Sequence, residues 1–187
     1  MKIKVLTILL SALLAFTLVV SGCGDDKKQE SKPAAVTSIK IDTSTDEGKL
    51  QQKIADAVAA LKTGHDSISE IQVAQSLSGD STNVNVTVDL AHIDDPKIML
   101  QECMDLTKII AKAAYTSGSP YKIANVTTIC RTSLTDTRNG KESMDKVYSY
   151  TLPSEIVKGW NWDNIQAINL ANVQGKGIFI HPVLQKK

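Results

Sequence analysis

Apolar side chains recur at helical spacing in two stretches of the chain. The first stretch follows a capping box in which Glu47 stands three positions after Ser44, and it ends near Gly64. Its members share one helical face: Leu50, Ile54, Val58 and Leu61. The second stretch starts with Asp95 as cap and Pro96 as first helical residue. Its apolar stripe comprises Met99, Leu100, Cys103, Leu106, Ile110 and Ala114. The pattern predicts two amphipathic helices.

Between and after these helices the apolar residues follow a period of two, which is typical of strands with one buried face. The clearest strand is formed around Val84, Val86, Val88 and Leu90. An earlier strand is indicated by Ile71, Val73 and Leu77. Two later strands, at residues 123–134 and 147–152, flank a two-residue hairpin signal at Asn139-Gly140. Residues 178–180 offer a fifth strand at the sheet edge.

The order α-β-β-α-β-β, followed by an irregular segment from Pro153, predicts an α+β fold. We expect a two-layer sandwich in which two helices cover one face of an antiparallel sheet of four or five strands. Antiparallel pairing is favoured because the alternation gives each strand one buried and one solvent-facing side. The similar order of the two halves leaves open whether the domain contains an internal repeat.

The first 22 residues have a different composition from the rest. Lys2 and Lys4 precede an apolar run of sixteen residues from Val5 to Val20, and Ser21 follows. These are the parts of a secretory signal peptide. A retained membrane anchor is the alternative interpretation, but a helix needs roughly 20 apolar residues to cross the hydrocarbon core.

The end of this segment carries a short motif. Val20-Ser21-Gly22-Cys23 resembles the lipobox of bacterial prolipoproteins, in which an aliphatic and two small residues precede the lipidated cysteine. The resemblance implies cleavage before Cys23, a diacylglyceryl thioether on its sulfur and often a further acyl chain, such as palmitate, on its amino group. The mature protein is then anchored to the cell membrane on the extracytoplasmic side. Gly24 leaves open which membrane this is in a bacterium with two.

The composition after Cys23 separates a linker from a domain. Residues 24–44 are rich in Lys, Asp, Ser and Thr, so we predict a lipidated N-terminus and flexible spacer at 23–44 and a single domain at 45–187. Loss of the two signal-peptide lysines reduces 21 basic residues to 19, against 20 acidic ones. This balance argues against a nucleic-acid partner. We expect a monomeric domain without a metal or cofactor.

Two cysteines remain beside the lipidated one. Cys103 lies on the apolar stripe of the second helix, and Cys130 lies on the strand that follows. A disulfide between them fits an exported protein, while two separately buried thiols are the alternative. Neither cysteine belongs to a metal-ligand spacing.

The remaining candidates for function are aromatic and imidazole side chains. Trp160 and Trp162 are two of seven aromatic residues outside the signal peptide. They either close one end of the core, which the scarcity of aromatics favours, or form a binding surface. His65 and His181 read as loop residues. His92 precedes Asp94 and Asp95, with which a metal or acid–base cluster is an alternative, but Asp95 is already explained as a helix cap and Asp94 lies in the same first-turn region.

No short catalytic motif is present in the sequence. The leading hypothesis is therefore a non-enzymatic lipoprotein whose domain binds a protein or another envelope component. A small enzyme acting on an envelope polymer and a structural or assembly lipoprotein are the alternatives. A pocket with convergent titratable groups favours the enzyme, and a flat apolar patch favours the binding domain.

Overall fold

The computed structural model describes residues 39–61, 67–91 and 95–185 of the 187-residue chain. The helices in these ranges are α1 (Asp46–Ala59), α2 (Pro96–Tyr115) and the single turn α3 (Ser154–Val157). The strands are β1 (Ser67–Gln75), β2 (Thr82–Asp89), β3 (Ile123–Thr135), β4 (Glu142–Pro153) and β5 (Lys176–Ile180). Short 3-10 helices occupy Trp162–Ala167, Leu170–Asn172 and Pro182–Gln185.

The five strands are hydrogen-bonded in the order β1-β2-β3-β4-β5. β1 pairs antiparallel with β2, and β4 pairs antiparallel with both β3 and β5. The central pair β2–β3 is parallel, with Val84 opposite Val126 and Val88 opposite Cys130. The predicted α+β fold with two main helices and a fifth edge strand is confirmed. The prediction of an entirely antiparallel sheet is wrong at this central pair.

Parallel pairing follows from the helix that joins the two central strands. α2 has 20 residues, so at 1.5 Å per residue it returns the chain by about 30 Å. β2 has eight residues and spans only about 26 Å. β3 therefore begins beside the start of β2, where Thr82 lies opposite Ile123. The apolar alternation of β2 reports one solvent-facing side and carries no information about strand direction.

The strand directions also show whether the two αββ halves are a repeat. β1 and β3 run in opposite directions, because β1 is antiparallel to β2 while β2 is parallel to β3. A rotation that superposed the first half on the second would have to reverse the strand directions and turn the sheet over. It would therefore place α1 and α2 on opposite faces of the sheet. α1 and α2 instead contact each other and share one core. The halves are not a structural repeat.

Both main helices begin with a side-chain cap. Thr45 caps α1, because its Oγ1 accepts a hydrogen bond of 3.0 Å from the Gly48 amide. The predicted cap at Ser44 is therefore one residue too early. Asp95 caps α2 as predicted. The predicted end of α1 at Gly64 lies outside the described residues.

The core lies between the helices and one face of the sheet. The α2 stripe is confirmed, with Leu100 half-buried and the other predicted residues fully buried: Met99, Cys103, Leu106, Ile110 and Ala114. The alternating face of β2 is confirmed as well, and Val84, Val86 and Val88 are inaccessible to solvent. Ile39, upstream of the predicted domain start, also packs against this core.

Two turns differ from the sequence prediction. Leu77, which the pattern assigns to the first strand, lies fully exposed in the turn after β1. The connection between β3 and β4 runs from Asp136 to Lys141, so it is longer than the two-residue turn predicted at Asn139-Gly140. β4 consequently extends upstream of the predicted start at Val147.

The segment after β4, which the sequence leaves undefined, folds against α2. The 3-10 helices at Trp162–Ala167 and Pro182–Gln185 both contact α2. Between them, the Tyr150 hydroxyl donates to the Val173 carbonyl at 2.7 Å and accepts from the Gly175 amide at 3.2 Å. These bonds hold the chain before it returns to the sheet as β5.

Candidate functional site

Trp160 and Trp162 form one aromatic cluster with Tyr115 from the last turn of α2. The Trp162 ring stacks on Tyr115, with centroids 6.1 Å apart and an interplanar angle of 28°. The Trp160 ring is tilted by 54° against Trp162 at 5.6 Å. Trp162 thus contacts two other aromatic rings. Both tryptophans are half-buried and pack against the core.

A tight turn and a buried hydroxyl hold the cluster in place. The Trp160 amide bonds to the Val157 carbonyl at 3.0 Å, and Gly159 between them adopts φ +93°, which glycine tolerates without strain. The Tyr115 hydroxyl donates to the Leu152 carbonyl at 2.6 Å. Burial, with a further contribution from Glu155, raises the pKa of Tyr115. This hydroxyl therefore remains a donor at physiological pH.

The geometry of the cluster bears on the two roles considered for the tryptophans. A sugar-stacking platform needs one broad, accessible ring face, whereas Trp162 is stacked on Tyr115 and Trp160 is inclined to it. The arrangement supports the structural interpretation, in which the rings close one end of the core. A binding role for Trp160 and Trp162 stays a prediction.

Cys103 and Cys130 are both completely buried, on α2 and β3 respectively. Cys130 lies opposite Tyr148 of β4. Burial raises the pKa of Tyr148, with smaller contributions from Cys130, Cys103 and Tyr150. The described residues form no disulfide, and the bridge between these cysteines stays a prediction.

Non-reducing mass spectrometry of the mature protein is expected to find one bridge between the Cys103 and Cys130 peptides. A closed loop of this length contributes roughly 3–4 kcal/mol in the chain-entropy model. Complete alkylation of both cysteines in unfolded, freshly isolated protein, without reductant, would instead establish two buried thiols.

Of the other predicted site residues, Cys23, His65 and His92 lie outside the described residues. His181 is half-buried just after β5. Its Nδ1 accepts a hydrogen bond of 3.2 Å from the Val183 amide, and its ring meets Phe179 edge-on at 6.3 Å. These contacts give His181 a role in shaping the chain terminus.

The sheet face away from the helices was not a candidate in the sequence. Its central strands present half-exposed polar residues where the opposite face presents buried valines. The members are Asn83, Asn85 and Asp89 of β2, Asn125, Thr127 and Arg131 of β3, and Thr151 of β4. Among the uncharged members, two direct bonds link neighbouring strands, from Asn125 to Asn83 at 2.8 Å and between the hydroxyls of Thr127 and Thr151 at 2.9 Å. We call this surface the open face.

A charge network crosses one end of the open face. The Arg131 guanidinium binds both carboxylate oxygens of Asp89, at 2.7 and 2.9 Å, and also donates to Ser69 at 3.1 Å. This geometry joins β1, β2 and β3 by side chains. The bonds to Asp89 raise the pKa of Arg131. Because the guanidinium has its counter-ion, the network stabilises the sheet and leaves little free charge.

Apolar side chains gather on the β3–β5 half of the same face. Phe179 is 36% exposed and lies opposite Ser149, whose other neighbour is Ile129. The Lys146 ammonium lies over the Phe179 ring, 4.7 Å from its centroid. Met144, two residues before Lys146 on the same side of β4, is 45% exposed. We define the open-face patch as Ile129, Met144, Lys146 and Phe179.

The described residues contain no group of three or more His, Cys, Asp or Glu side chains able to hold a metal ion. Within the same part of the chain, no helix is both long and apolar enough to span a bilayer. Comparisons with protein-family models, with curated proteins and with solved structures found no significant match to this chain.

Proposed function

We propose that this protein is a bacterial lipoprotein, anchored through Cys23, whose extracytoplasmic domain binds a protein partner and catalyses no reaction. The binding surface in this proposal is the open-face patch. The observation that carries it is the exposure of Phe179 and Met144, beside Ile129, on a sheet face whose other central positions are mostly polar. The lipobox at residues 20–23 supports the anchor.

The patch has the composition of a protein-binding surface. Interface centres are enriched in aromatic residues and methionine, and their rims are polar. Phe179 and Met144 are the aromatic residue and the methionine of such a centre. Ser149, Thr127 and Arg131 surround them with hydrogen-bonding groups. Lys146, stacked on Phe179, can pair with an acidic residue of a partner. An open sheet face suits contact with another protein better than enclosure of a small substrate.

The attachment of the patch to the sheet also suits recognition. Each of its residues lies on a strand, and Ile129 and Phe179 are linked through the pairing of β3, β4 and β5. A rigid surface of this kind loses little conformational entropy when a partner binds. Phe179 is accessible, so its removal affects the fold far less than removal of a core residue.

Photo-crosslinking in intact cells tests this proposal. A photoreactive phenylalanine analogue at position 179 is expected to give a discrete adduct with one partner, and the same partner should appear from position 144. Position 178 is the matched control: Ile178 is 49% exposed on the same strand, but its side chain points to the other side of the sheet. With the photoreactive residue at position 144, substituting Phe179→Ser should reduce capture of the partner at least tenfold and leave the melting temperature of the domain nearly unchanged. Equal adducts from positions 178 and 179 would contradict the open face as the binding surface.

A further inference from the structure

A small pocket lies on the helix side of the domain, across the sheet from the open face. It has a volume of about 230 Å³ between α2 and the chain that follows β4. Residues of α2 and of this later segment line it: Gln101, Met104, Lys108, Gln166, Ala167, Ile168, Asn169 and Leu170. At the density of liquid water this volume holds about eight water molecules. A single sugar ring occupies a similar volume.

The unusual member of this pocket is Lys108, whose side chain is only 5% exposed. Lysine is almost never buried so completely unless it is paired with an acidic group. Its ammonium binds Asp105 Oδ1 at 2.6 Å, and Asp105 itself is 34% exposed. The other oxygen of Asp105 accepts a hydrogen bond of 3.1 Å from Gln101. The pair is thus fixed along one side of α2.

An ammonium has three N–H donors. In the described part of the chain, Asp105 supplies the one acceptor for Lys108. Two N–H donors of the Lys108 ammonium therefore have no acceptor among the described residues, and Lys108 lines the pocket. Because unmatched buried donors cost free energy, the pocket favours any group that brings two acceptor oxygens to Lys108.

The surroundings of Lys108 define the ligand's charge. Asp105 already neutralises the ammonium, and an anionic ligand would stand beside its carboxylate and be repelled. The side-chain amides of Gln101, Gln166 and Asn169 add donors and acceptors without net charge. Asn169 uses its carbonyl to accept from the Ala171 amide at 3.0 Å, which leaves its NH₂ group to donate. Neutral hydroxyl or carbonyl oxygens match this lining.

We propose that this pocket binds an uncharged, hydroxyl-rich ligand the size of a single sugar residue. Lys108 donates to two ligand oxygens, and the amides of Gln166 and Asn169 contact further hydroxyls. Met104, Ile168 and Leu170 cover the C–H surface of the ring. The site is independent of the open-face patch, since the two lie on opposite sides of the sheet.

The test uses the full-length protein in a detergent without a sugar head group. Glucose, galactose, mannose and N-acetylglucosamine are the neutral probes, and propionate is the anionic probe. Saturation-transfer NMR titrations give the dissociation constants, which we expect in the millimolar range for so small a ligand. At least one neutral sugar should bind, and propionate should bind at least tenfold more weakly.

Three variants locate the binding. Ala167→Leu fills the pocket from an exposed position, and Lys108→Met removes the ammonium. Each is expected to weaken sugar binding at least tenfold. Ala171→Leu is the matched control, because Ala171 is also exposed but is not among the residues that line the pocket; the affinity of this variant for the sugar should be unchanged. If Lys108→Met fails to fold, Ala167→Leu still decides the question. Absence of binding by all four sugars, equal binding by Ala167→Leu, or preferred binding of propionate would overturn the proposal.

Discussion

Replacing Cys23 with serine is expected to abolish incorporation of labelled fatty acid and to release the protein from membranes. Serine has no thiol, so the thioether to diacylglycerol cannot form. Each buried methylene contributes about 0.8 kcal/mol of membrane affinity, and two or more acyl chains are needed for stable anchoring. Metabolic labelling and fractionation of cells measure the two effects together, and the expected change is from complete to negligible membrane association.

The other two cysteines provide the control for this experiment. Cys103 and Cys130 are completely buried in the folded domain, so Cys103→Ala and Cys130→Ala should leave the label intact. Undiminished labelling or unchanged membrane association of Cys23→Ser would show that the lipobox interpretation is wrong. It would also remove the anchor from the proposed function without affecting the proposed role of the open-face patch.

The elements that could be predicted are those whose signal is local. The stripe of α2 and the alternation of β2 both follow from burial on one side, which each segment displays in its own sequence. The cap at Asp95 is local as well, because its side-chain oxygen accepts from the Lys97 amide, two residues along the chain, at 2.8 Å. These signals were sufficient for the α+β class, for the two main helices and for four of the five strands, while the fifth strand was left open.

Features that depend on distant partners could not be predicted in the same way. The parallel pairing of β2 and β3 depends on the length of α2, not on either strand. The turn at Asn139-Gly140 has the composition of a two-residue hairpin, yet the register of β3 and β4 places the connection at Asp136 to Lys141. Leu77 is apolar and in phase with Ile71, but β1 ends at Gln75 and Leu77 lies in the turn that follows.

The candidate sites show the same difference between features with a local sequence signal and features that depend on distant residues. Trp160 and Trp162 stand out in the sequence because aromatic residues are rare in this chain. The open-face patch has no sequence signal, since its residues come from three strands that only the register brings together. Lys108 resembles any polar residue of an amphipathic helix, and the segment after β4 that covers it is irregular in sequence. Its burial therefore has no local cause.

Replacing Trp160 and Trp162 together with alanine is expected to cause a large loss of stability in the domain. Removal of a fully buried tryptophan costs about 3–5 kcal/mol of the free energy of unfolding. Because each of these rings is only half-buried, its removal should cost an amount near or below the lower end of this range. Trp162 should account for most of the effect, because it contacts both Tyr115 and Trp160. For a domain of this size each kcal/mol lowers the melting temperature by about 2–4 °C, so we expect a fall of about 10 °C.

The same measurement separates a structural from a binding role. Phe179→Ala removes an accessible aromatic ring from the open face and serves as the control, with little expected change in melting temperature. If the tryptophan variant melts like the wild type but no longer captures the crosslinked partner, the aromatic cluster is the interface and the open-face patch is not. If melting falls and residual folded protein still captures the partner through position 179, the cluster closes the core and the sheet face binds. The stacking of Trp162 on Tyr115, whose hydroxyl is itself bonded to Leu152, is the reason to expect the second result.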